Sequence, residues 1–255
     1  MGEIVGIVSG KGGVGKTTLC ARLSLALCAD GQKVLCIDGD TGMKNLDLVL
    51  GMESRTVFDL DDVLSGRTPF EKAVCRHPDA PGLFLLSAAH DYRARIGKEA
   101  LRALCDEQKE HFDFILIDAP AGLGDGFAAV AYAAERLIVV ATPDVTSIRD
   151  AGRTATVARE GSGKRAELVL NRVRPLLMEK GAAANVDEIM DRIGLPLLGL
   201  IPEDDEIVIR AGGTGAGRKV SDSDIPFRNT AARLRGKSVK LAGVWKKYLL
   251  KNGWR

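Results

Sequence analysis

The feature that most constrains this chain is a glycine-rich run between an apolar segment and a helical pattern. Residues 4–9 are nearly all apolar, and residues 10–18 read GKGGVGKTT. This run fits G-x-x-x-x-G-K-[ST], a pattern that requires a strand before it and a helix after it. Glycines let backbone N–H groups face an anion, and the helix N-terminus adds partial positive charge. The run therefore predicts a phosphate-binding loop in an α/β fold.

The chemistry of phosphate binding assigns roles within this loop. The Lys16 ammonium would neutralise the β- and γ-phosphates of a nucleotide, and the Thr17 hydroxyl would bind Mg²⁺. Thr18 would reach the α-phosphate. The predicted nucleotide-binding residues of the loop are Gly10, Lys11, Gly12, Gly13, Val14, Gly15, Lys16, Thr17 and Thr18.

Apolar segments alternate with helical patterns along the rest of the chain. The predicted strands cover residues 4–9, 34–37, 83–86, 114–117, 137–141, 167–170 and 197–200, and the main predicted helices cover 16–30, 98–110, 126–134 and 145–160. Strands this apolar are typical of a parallel sheet covered on both faces. The alternation predicts a doubly wound, mostly parallel sheet with helices on both faces. We expect one domain over residues 1–235 and an appended tail over residues 236–255.

Composition excludes several other classes of protein. Hydrophobic residues make up 45% of the 255 residues and charged residues 27%, which is typical of a globular domain and not of a disordered chain. The five cysteines form no C-x-x-C pair, which argues against a disulfide framework, a zinc site or an iron–sulfur site. No apolar run reaches the length of a membrane span, and the first residues lack a signal-peptide pattern. We therefore expect a cytoplasmic protein.

Carboxylates follow two of the predicted strands. Asp38 and Asp40 come directly after strand 34–37, and Asp118 follows strand 114–117. Ligands of open α/β sheets bind at the carboxyl ends of the strands. The predicted metal ligands are Thr17, Asp38 and Asp118, with Asp40 orienting the attacking water. An alternative for the pair after strand 34–37 is helix capping.

Residues 11–18, KGGVGKTT, contain a second lysine, Lys11. On that ground the loop is identified as the deviant Walker A motif of the ParA/MinD family of ATPases. The resemblance implies ATP or ADP with Mg²⁺ as cofactors and a homodimer in the ATP-bound state. It implies that Lys11 reaches the partner's nucleotide, so that the catalytic set is Lys11, Lys16 and Asp40. Because no Glu directly follows Asp118 and the loop after it contains no Gln, we expect slow hydrolysis until a partner stimulates it.

The same resemblance assigns the segments around the loop. Residues 38–40 resemble switch I, and residues 119–122 resemble switch II, in which Pro120 and Gly122 are the marked positions and the Gly122 N–H would sense the γ-phosphate. Asn171, after strand 167–170, resembles the adenine-contacting residue of the family. The loop after strand 197–200 resembles the other wall of that pocket, with Pro202, Glu203 and Asp204. These residues could instead only shape turns.

Longer stretches resemble the MinD group of this family, which places the division septum. They are residues 40–53, which resemble the switch I segment of this group and continue residues 38–40, and residues 118–122, 146–150 and 201–204. The resemblance implies the division inhibitor MinC as a partner, and MinE or a topological anchor as a second one. Arg149 and Asp150 are implied partner contacts. ParA-like DNA segregation and FlhG-like control of flagellar number remain alternatives.

The tail supports a membrane-associated switch on independent grounds. Nine of the 36 basic residues and none of the 34 acidic residues lie in residues 228–255. One face of a predicted helix there is apolar and its surroundings are basic, with Leu241, Val244, Trp245, Tyr248, Leu249, Lys246 and Lys247 as the predicted membrane residues. One short helix should bind an anionic membrane weakly, and two on a dimer should bind it firmly. We expect peripheral association with the inner face of the cell membrane.

Two other interpretations of the tail remain open. Its apolar face could pack on the domain as a last helix. Its charge could also bind DNA, although a nucleic-acid contact does not require an apolar stripe, which makes nucleic acid the weaker candidate for a partner.

Overall fold

The computed structural model describes residues 1–53, 55, 57–91, 93–207 and 222–239. Eight strands lie in this part of the chain: β1 Glu3–Val8, β2 Val34–Asp38, β3 Cys75–Arg76, β4 Leu83–Leu86, β5 Phe114–Asp118, β6 Arg136–Ala141, β7 Arg165–Val173 and β8 Leu197–Pro202. Ten α-helices are described as well: α1 Lys16–Ala29, α2 Leu46–Leu50, α3 Leu60–Leu64, α4 Phe70–Ala73, α5 Lys98–Gln108, α6 Asp125–Ala133, α7 Val145–Ser162, α8 Pro175–Glu179, α9 Val186–Ile193 and α10 Ile225–Leu234.

All eight strands form one sheet in the order β3-β4-β2-β5-β1-β6-β7-β8. Every pairing is parallel except that of β3 with β4. The central strand β1 lies between β5 and β6, and the chain therefore changes direction across the sheet at this strand. This is the place where open α/β sheets bind ligands. The predicted doubly wound, mostly parallel sheet is confirmed.

Separate hydrophobic cores cover the two faces of the sheet. One core contains buried side chains from α5, α6, α7 and α9, and the other contains buried side chains from α1, α2 and α10. The inner strands are buried along nearly their whole length. Strands buried on both sides explain why the sequence shows continuous apolar runs instead of alternation.

The predicted strands are all present, and their ends either match the prediction or differ from it by at most three residues. Sequence patterns did not indicate β3, which is only two residues long and pairs at the sheet edge. The short helices α2, α3, α4 and α8 were also missed. Helices of four or five residues have too few turns for a hydrophobic period to be recognised.

The chain after α10 stays on the domain as far as it is described. The Lys237 N–H donates to the Ala232 carbonyl, and the Arg233 guanidinium donates to the Val239 carbonyl. Arg235 pairs with Asp30 at the end of α1, 2.7 Å away. The predicted membrane residues 241–249 lie outside the described residues, so the division into domain and tail stays a prediction. No helix of the described residues is both long and apolar enough to cross a bilayer.

Candidate nucleotide site

The phosphate loop connects β1 to α1 at the carboxyl end of the sheet. Gly13 and Gly15 have φ values of 77° and 92°, which is the left-handed region that favours glycine. Gly15 is the N-cap of α1 and offers no side chain to the first turn. The N–H groups of that turn are therefore left to bind an anion.

Lys16 begins α1 and points its ammonium into the site. Its side chain is buried, and burial lowers its pKa, although the charges of Asp118 and Asp40 act in the opposite direction. A buried cation is stabilised by an anion beside it. The predicted role of Lys16 in phosphate neutralisation fits this environment.

Asp38 and Asp118 lie side by side at the ends of β2 and β5, where they are direct register partners. Both side chains are almost fully buried. Burial raises the pKa of each carboxyl to about 7, and in Asp118 the nearby charge of Asp38 adds to the shift. Perturbed carboxyls in a cleft are typical of functional sites.

The two carboxylates have different surroundings. Asp38 accepts the N–H of Asp40 at 3.0 Å and the N–H of Leu46 at 3.1 Å, so it holds both ends of the switch I loop. The Thr17 side chain lies near Asp118 and acts to lower its pKa against the effect of burial, while the Oδ1 atom of Asp118 is buried and has no hydrogen-bond partner among the described residues. Asp118 therefore has an oxygen free for a metal or its water.

Asp40 lies within the switch I loop. Its Oδ1 accepts the N–H groups of Gly42 and Met43, each at 3.2 Å, and its charge acts on Lys16. The carboxylate therefore lies on the phosphate side of the sheet edge. Its role in orienting water stays a prediction.

Lys11 is held by residues at the start of α7. Its Nζ donates to Thr146 Oγ1 at 2.8 Å and to Asp144 Oδ1 at 3.2 Å, and its side chain is 42% exposed. Burial acts against the charge of Asp144, but hydrogen bonds from Thr142, Thr146, the Ser147 N–H and Lys11 hold its pKa well below the usual range. Lys11 therefore lies beside the loop and not over its glycines.

Comparisons with known proteins identify the family. A family model described as "ParA: NUBPL iron-transfer P-loop NTPase" matches residues 1–234. The septum site-determining protein MinD of Bacillus subtilis is 38% identical over 247 residues, which cover 94% of this chain and 92% of that protein. A putative septum site-determining protein MinD of Emiliania huxleyi is 39% identical over 94% of this chain and 90% of that protein. This chain belongs to the ParA/MinD family of P-loop ATPases.

Solved structures agree with this family. A chain of the MinC:MinD cell division protein complex of Aquifex aeolicus has a TM-score of 0.86 and 36% identity, covering 94% of this chain and 98% of that one. MinD of Pyrococcus horikoshii, complexed with Mg-ADP, has a TM-score of 0.80 and 31% identity, covering 96% and 98%. The chain is an ATP hydrolase that uses ATP or ADP with Mg²⁺, as its sequence predicted.

The residues of this ParA/MinD ATPase fit Mg²⁺. The ion prefers oxygen ligands and usually keeps several waters beside one or two protein ligands and phosphate oxygens. The Thr17 hydroxyl and the unpartnered Asp118 oxygen supply such donors. Among the described residues, no group of three or more His, Cys, Asp or Glu side chains could hold a metal. A magnesium site of this kind needs no such group.

The segment predicted to be switch II, residues 119–122, follows Asp118 along the end of β1. The Ala119 N–H donates to Ile7 and the Gly122 N–H donates to Ser9, both at 3.0 Å. In this conformation the Gly122 N–H is therefore occupied, and sensing of a γ-phosphate would require its bond to Ser9 to open. Pro120 packs on α6, where a Cβ on Gly126 would lie 2.4 Å from the proline ring.

A cavity of about 320 Å³ adjoins the phosphate loop. The four predicted adenine-pocket residues, Asn171, Pro202, Glu203 and Asp204, all line it. Glu203 forms an ion pair with Arg174, and Asp204 accepts a hydrogen bond from Ser223 at 2.8 Å. The structure therefore brings these four residues together, while their contact with a base stays a prediction.

Sequence reasoning missed part of this cavity. Its further lining residues are Leu19, Arg172, Asp205, Ile207 and Phe227, beside the predicted Gly15 and Thr18. Phe227 comes from α10, more than 200 positions after the loop. No local sequence pattern predicts that Phe227 lines the cavity, because only the packing of α10 on α1 brings it there.

Proposed function

We propose that this chain is a septum-placing ATPase switch whose ATP-bound dimer associates with an anionic membrane surface. The observation that carries the proposal is its match to septum site-determining proteins over nearly the full length of both chains. The basic, amphipathic tail gives independent support. The proposed location is the cytoplasm and the inner face of the cell membrane.

The site's own residues explain how a nucleotide would act as the switch. The N–H groups of the loop and Lys16 would bind the phosphates, and Asp118 and Thr17 would orient the ion that supplies Lewis-acid stabilisation of their charge. Asp40 would orient water. Lys11 would leave Asp144 and Thr146 and reach the nucleotide of a second copy.

The surface around the site suits a dimer of this kind. Met43 in switch I, Leu123 after switch II and Val145 at the start of α7 are 68%, 41% and 77% exposed. All three lie at the carboxyl edge of the sheet, around the mouth of the site. Exposed apolar side chains grouped in this way are typical of an interaction surface.

MinC is the proposed partner of the dimer, since a MinD chain similar to this one forms a complex with it in Aquifex aeolicus. MinE or a topological anchor would be the second partner. Arg149 and Asp150 lie in α7, beside the loop that holds Lys11, which favours this helix as a partner contact.

The tail is tested by co-sedimentation with anionic liposomes in ATP and in ADP. The full chain should pellet in ATP and lose most of this binding with Leu249→Glu, because the charge enters the apolar stripe. Leu250→Glu adds the same charge to the opposite side of the helix and should retain most of the binding. Equal binding of all three proteins would contradict the membrane role of the stripe.

The DNA-segregation alternative is tested with the same proteins. ATP-dependent, salt-sensitive binding to DNA without lipid preference would favour it over the membrane switch. Structures of a Cyanothece McdA, 20% identical with a TM-score of 0.75, share the fold and do not bear on this choice.

A further inference from the structure

One side chain lines the 320 Å³ cavity beside the phosphate loop, called the base cavity below, and also contacts the loop. Asn171 lines the cavity from β7, and its Nδ2 donates to the Val14 carbonyl of the loop at 2.7 Å. Only 9% of the residue is exposed. The bond therefore joins two parts of the site that are 157 residues apart in the chain.

The orientation of the Asn171 amide follows from its other contact. Its Oδ1 accepts the Arg172 N–H at 2.9 Å, and Arg172 has a φ of 52°, an uncommon value for a residue other than glycine. The oxygen end is thereby occupied on the side away from the loop. The NH₂ end must face Val14, since a carbonyl oxygen requires a donor.

The amide also packs closely against the turn of the loop. A Cβ on Gly15 would lie 2.4 Å from Asn171 Nδ2, so the two groups are in contact. Gly15 has the left-handed φ that turns the chain from the loop into α1. The side chain of Asn171 therefore restrains the loop on both sides of the Val14–Gly15 peptide bond.

We propose that Asn171 is a positioning residue that holds the phosphate loop in its anion-binding conformation, in addition to forming a wall of the base cavity. An NH₂ group has two hydrogens, and one of them is given to Val14. The other remains for a base, so the two roles are compatible. The proposal rests on nucleotide binding by the ATPase and is independent of septum placement or membrane association.

A ligand without a base separates the two roles. Mg²⁺-tripolyphosphate occupies the loop but not the base cavity. If Asn171 acts only on the base, a substitution at this position lowers the affinity for ATP and leaves the affinity for tripolyphosphate unchanged. If Asn171 holds the loop, both affinities fall.

The variant that removes the donor without adding a charge beside the phosphates is Asn171→Leu, whose side chain is of similar size. Calorimetric titration should show that the affinities for Mg²⁺-ATP and Mg²⁺-tripolyphosphate both fall roughly tenfold or more, because the Val14 carbonyl then has no donor. Phe227→Leu is the comparator, since it alters the cavity without touching the loop. Phe227→Leu should lower the affinity for ATP more than the affinity for tripolyphosphate.

A folded Asn171→Leu protein, with the melting temperature of the wild type and wild-type tripolyphosphate affinity, would overturn the proposal. Should the variant fail to fold, hydrogen exchange in the wild-type protein tests the proposal instead. The side-chain NH₂ of Asn171, observed by NMR without nucleotide, should exchange slowly with water because it is buried and hydrogen-bonded. Free exchange would equally overturn the proposal.

Discussion

At the scale of single residues, the site concentrates charge that burial makes costly. Asp38, Asp118 and Lys16 are all buried. The pKa of each carboxyl is raised and the pKa of Lys16 is lowered, and both directions favour the neutral form. Lys16 compensates the charge of Asp118 only in part, since burial is the largest cause of the pKa shift of both carboxyls. A protein accepts such a cost where a bound cation or anion relieves it.

Asp118→Asn should stabilise the magnesium-free, nucleotide-free protein at alkaline pH. The pKa of Asp118 is raised to about 7, so the folded protein binds more protons than the unfolded chain between pH 4 and pH 7. The cost of the charge is therefore present above pH 7 and is relieved as the pH falls. We expect the variant to gain about 1–2 kcal/mol in free energy of unfolding at pH 8 and almost nothing near pH 4.

Urea unfolding at several pH values checks this expectation, with Glu107→Gln on the exposed side of α5 as the control. The Asn variant should at the same time lose affinity for Mg²⁺-ATP, since an oxygen with negative charge is removed. A variant less stable than the wild type at pH 8 would show that the buried carboxylate is not costly.

At the scale of elements, a buried histidine connects the short helices after switch I to the sheet edge. His77 follows β3, and its Nδ1 accepts the N–H groups of Asp79 and Ala80, each at 3.1 Å. Its Nε2 must then carry the proton, and it donates to the Leu50 carbonyl at the end of α2 at 3.0 Å. The neutral ring therefore joins α2 to the turn between β3 and β4.

His77→Gln should reduce the loss of stability at acid pH. Burial lowers the pKa of His77 below 6.5, so the unfolded chain binds more protons as the pH falls below that value, and this group then favours unfolding. We expect the variant to be roughly 1–2 kcal/mol less stable at pH 8 because its hydrogen bonds are lost. The difference from the wild type should shrink towards pH 5.

Chemical denaturation between pH 5 and pH 8 measures both effects. His111→Gln, at an exposed position, is the matched control and should follow the wild type throughout. A gap between His77→Gln and the wild type that stays constant with pH would mean that protonation of this ring does not affect folding.

At the scale of the whole molecule, the described residues of the candidate nucleotide site meet at one edge of the sheet. The loop after β1, the carboxylates at the ends of β2 and β5, and the cavity at the ends of β7 and β8 all lie at carboxyl ends of parallel strands. Lys11 is placed at the rim of this edge with half of its side chain in solvent. A site arranged in this way is open towards a second molecule.

Lys11→Ala should abolish the proposed ATP-dependent dimer while nucleotide binding is retained. The ammonium contacts Asp144 and Thr146 and is not part of the turn that faces the phosphates. We expect ATP affinity to change by at most about fivefold, because one exposed charge contributes at most about 1 kcal/mol. Light scattering after size-exclusion chromatography should show only monomers in ATP.

The control for this experiment is Lys72→Ala, which removes an exposed lysine of α4 and should leave the dimer intact. The proposed role of Lys11 would be refuted by a variant that still dimerises in ATP. Loss of ATP binding itself would instead place Lys11 among the phosphate ligands of its own chain.

The sequence by itself determined the features that depend on neighbouring residues. The glycines and lysine of the phosphate loop, the apolar strands and the acids at their ends lie within short segments, and their spacing reflects local geometry. The doubly wound sheet followed from the alternation of these segments. The two-residue strand β3 and the four- and five-residue helices were not predicted, because they are too short to show a hydrophobic period.

Only the tertiary structure decided which distant residues meet. Lys11 bonds to residues 133 and 135 positions later, and Asn171 bonds to Val14 across 157 positions. Phe227 enters the base cavity because α10 packs on α1. Such contacts depend on how helices pack on a sheet, and packing between remote segments leaves no pattern in the chain that a local reading detects.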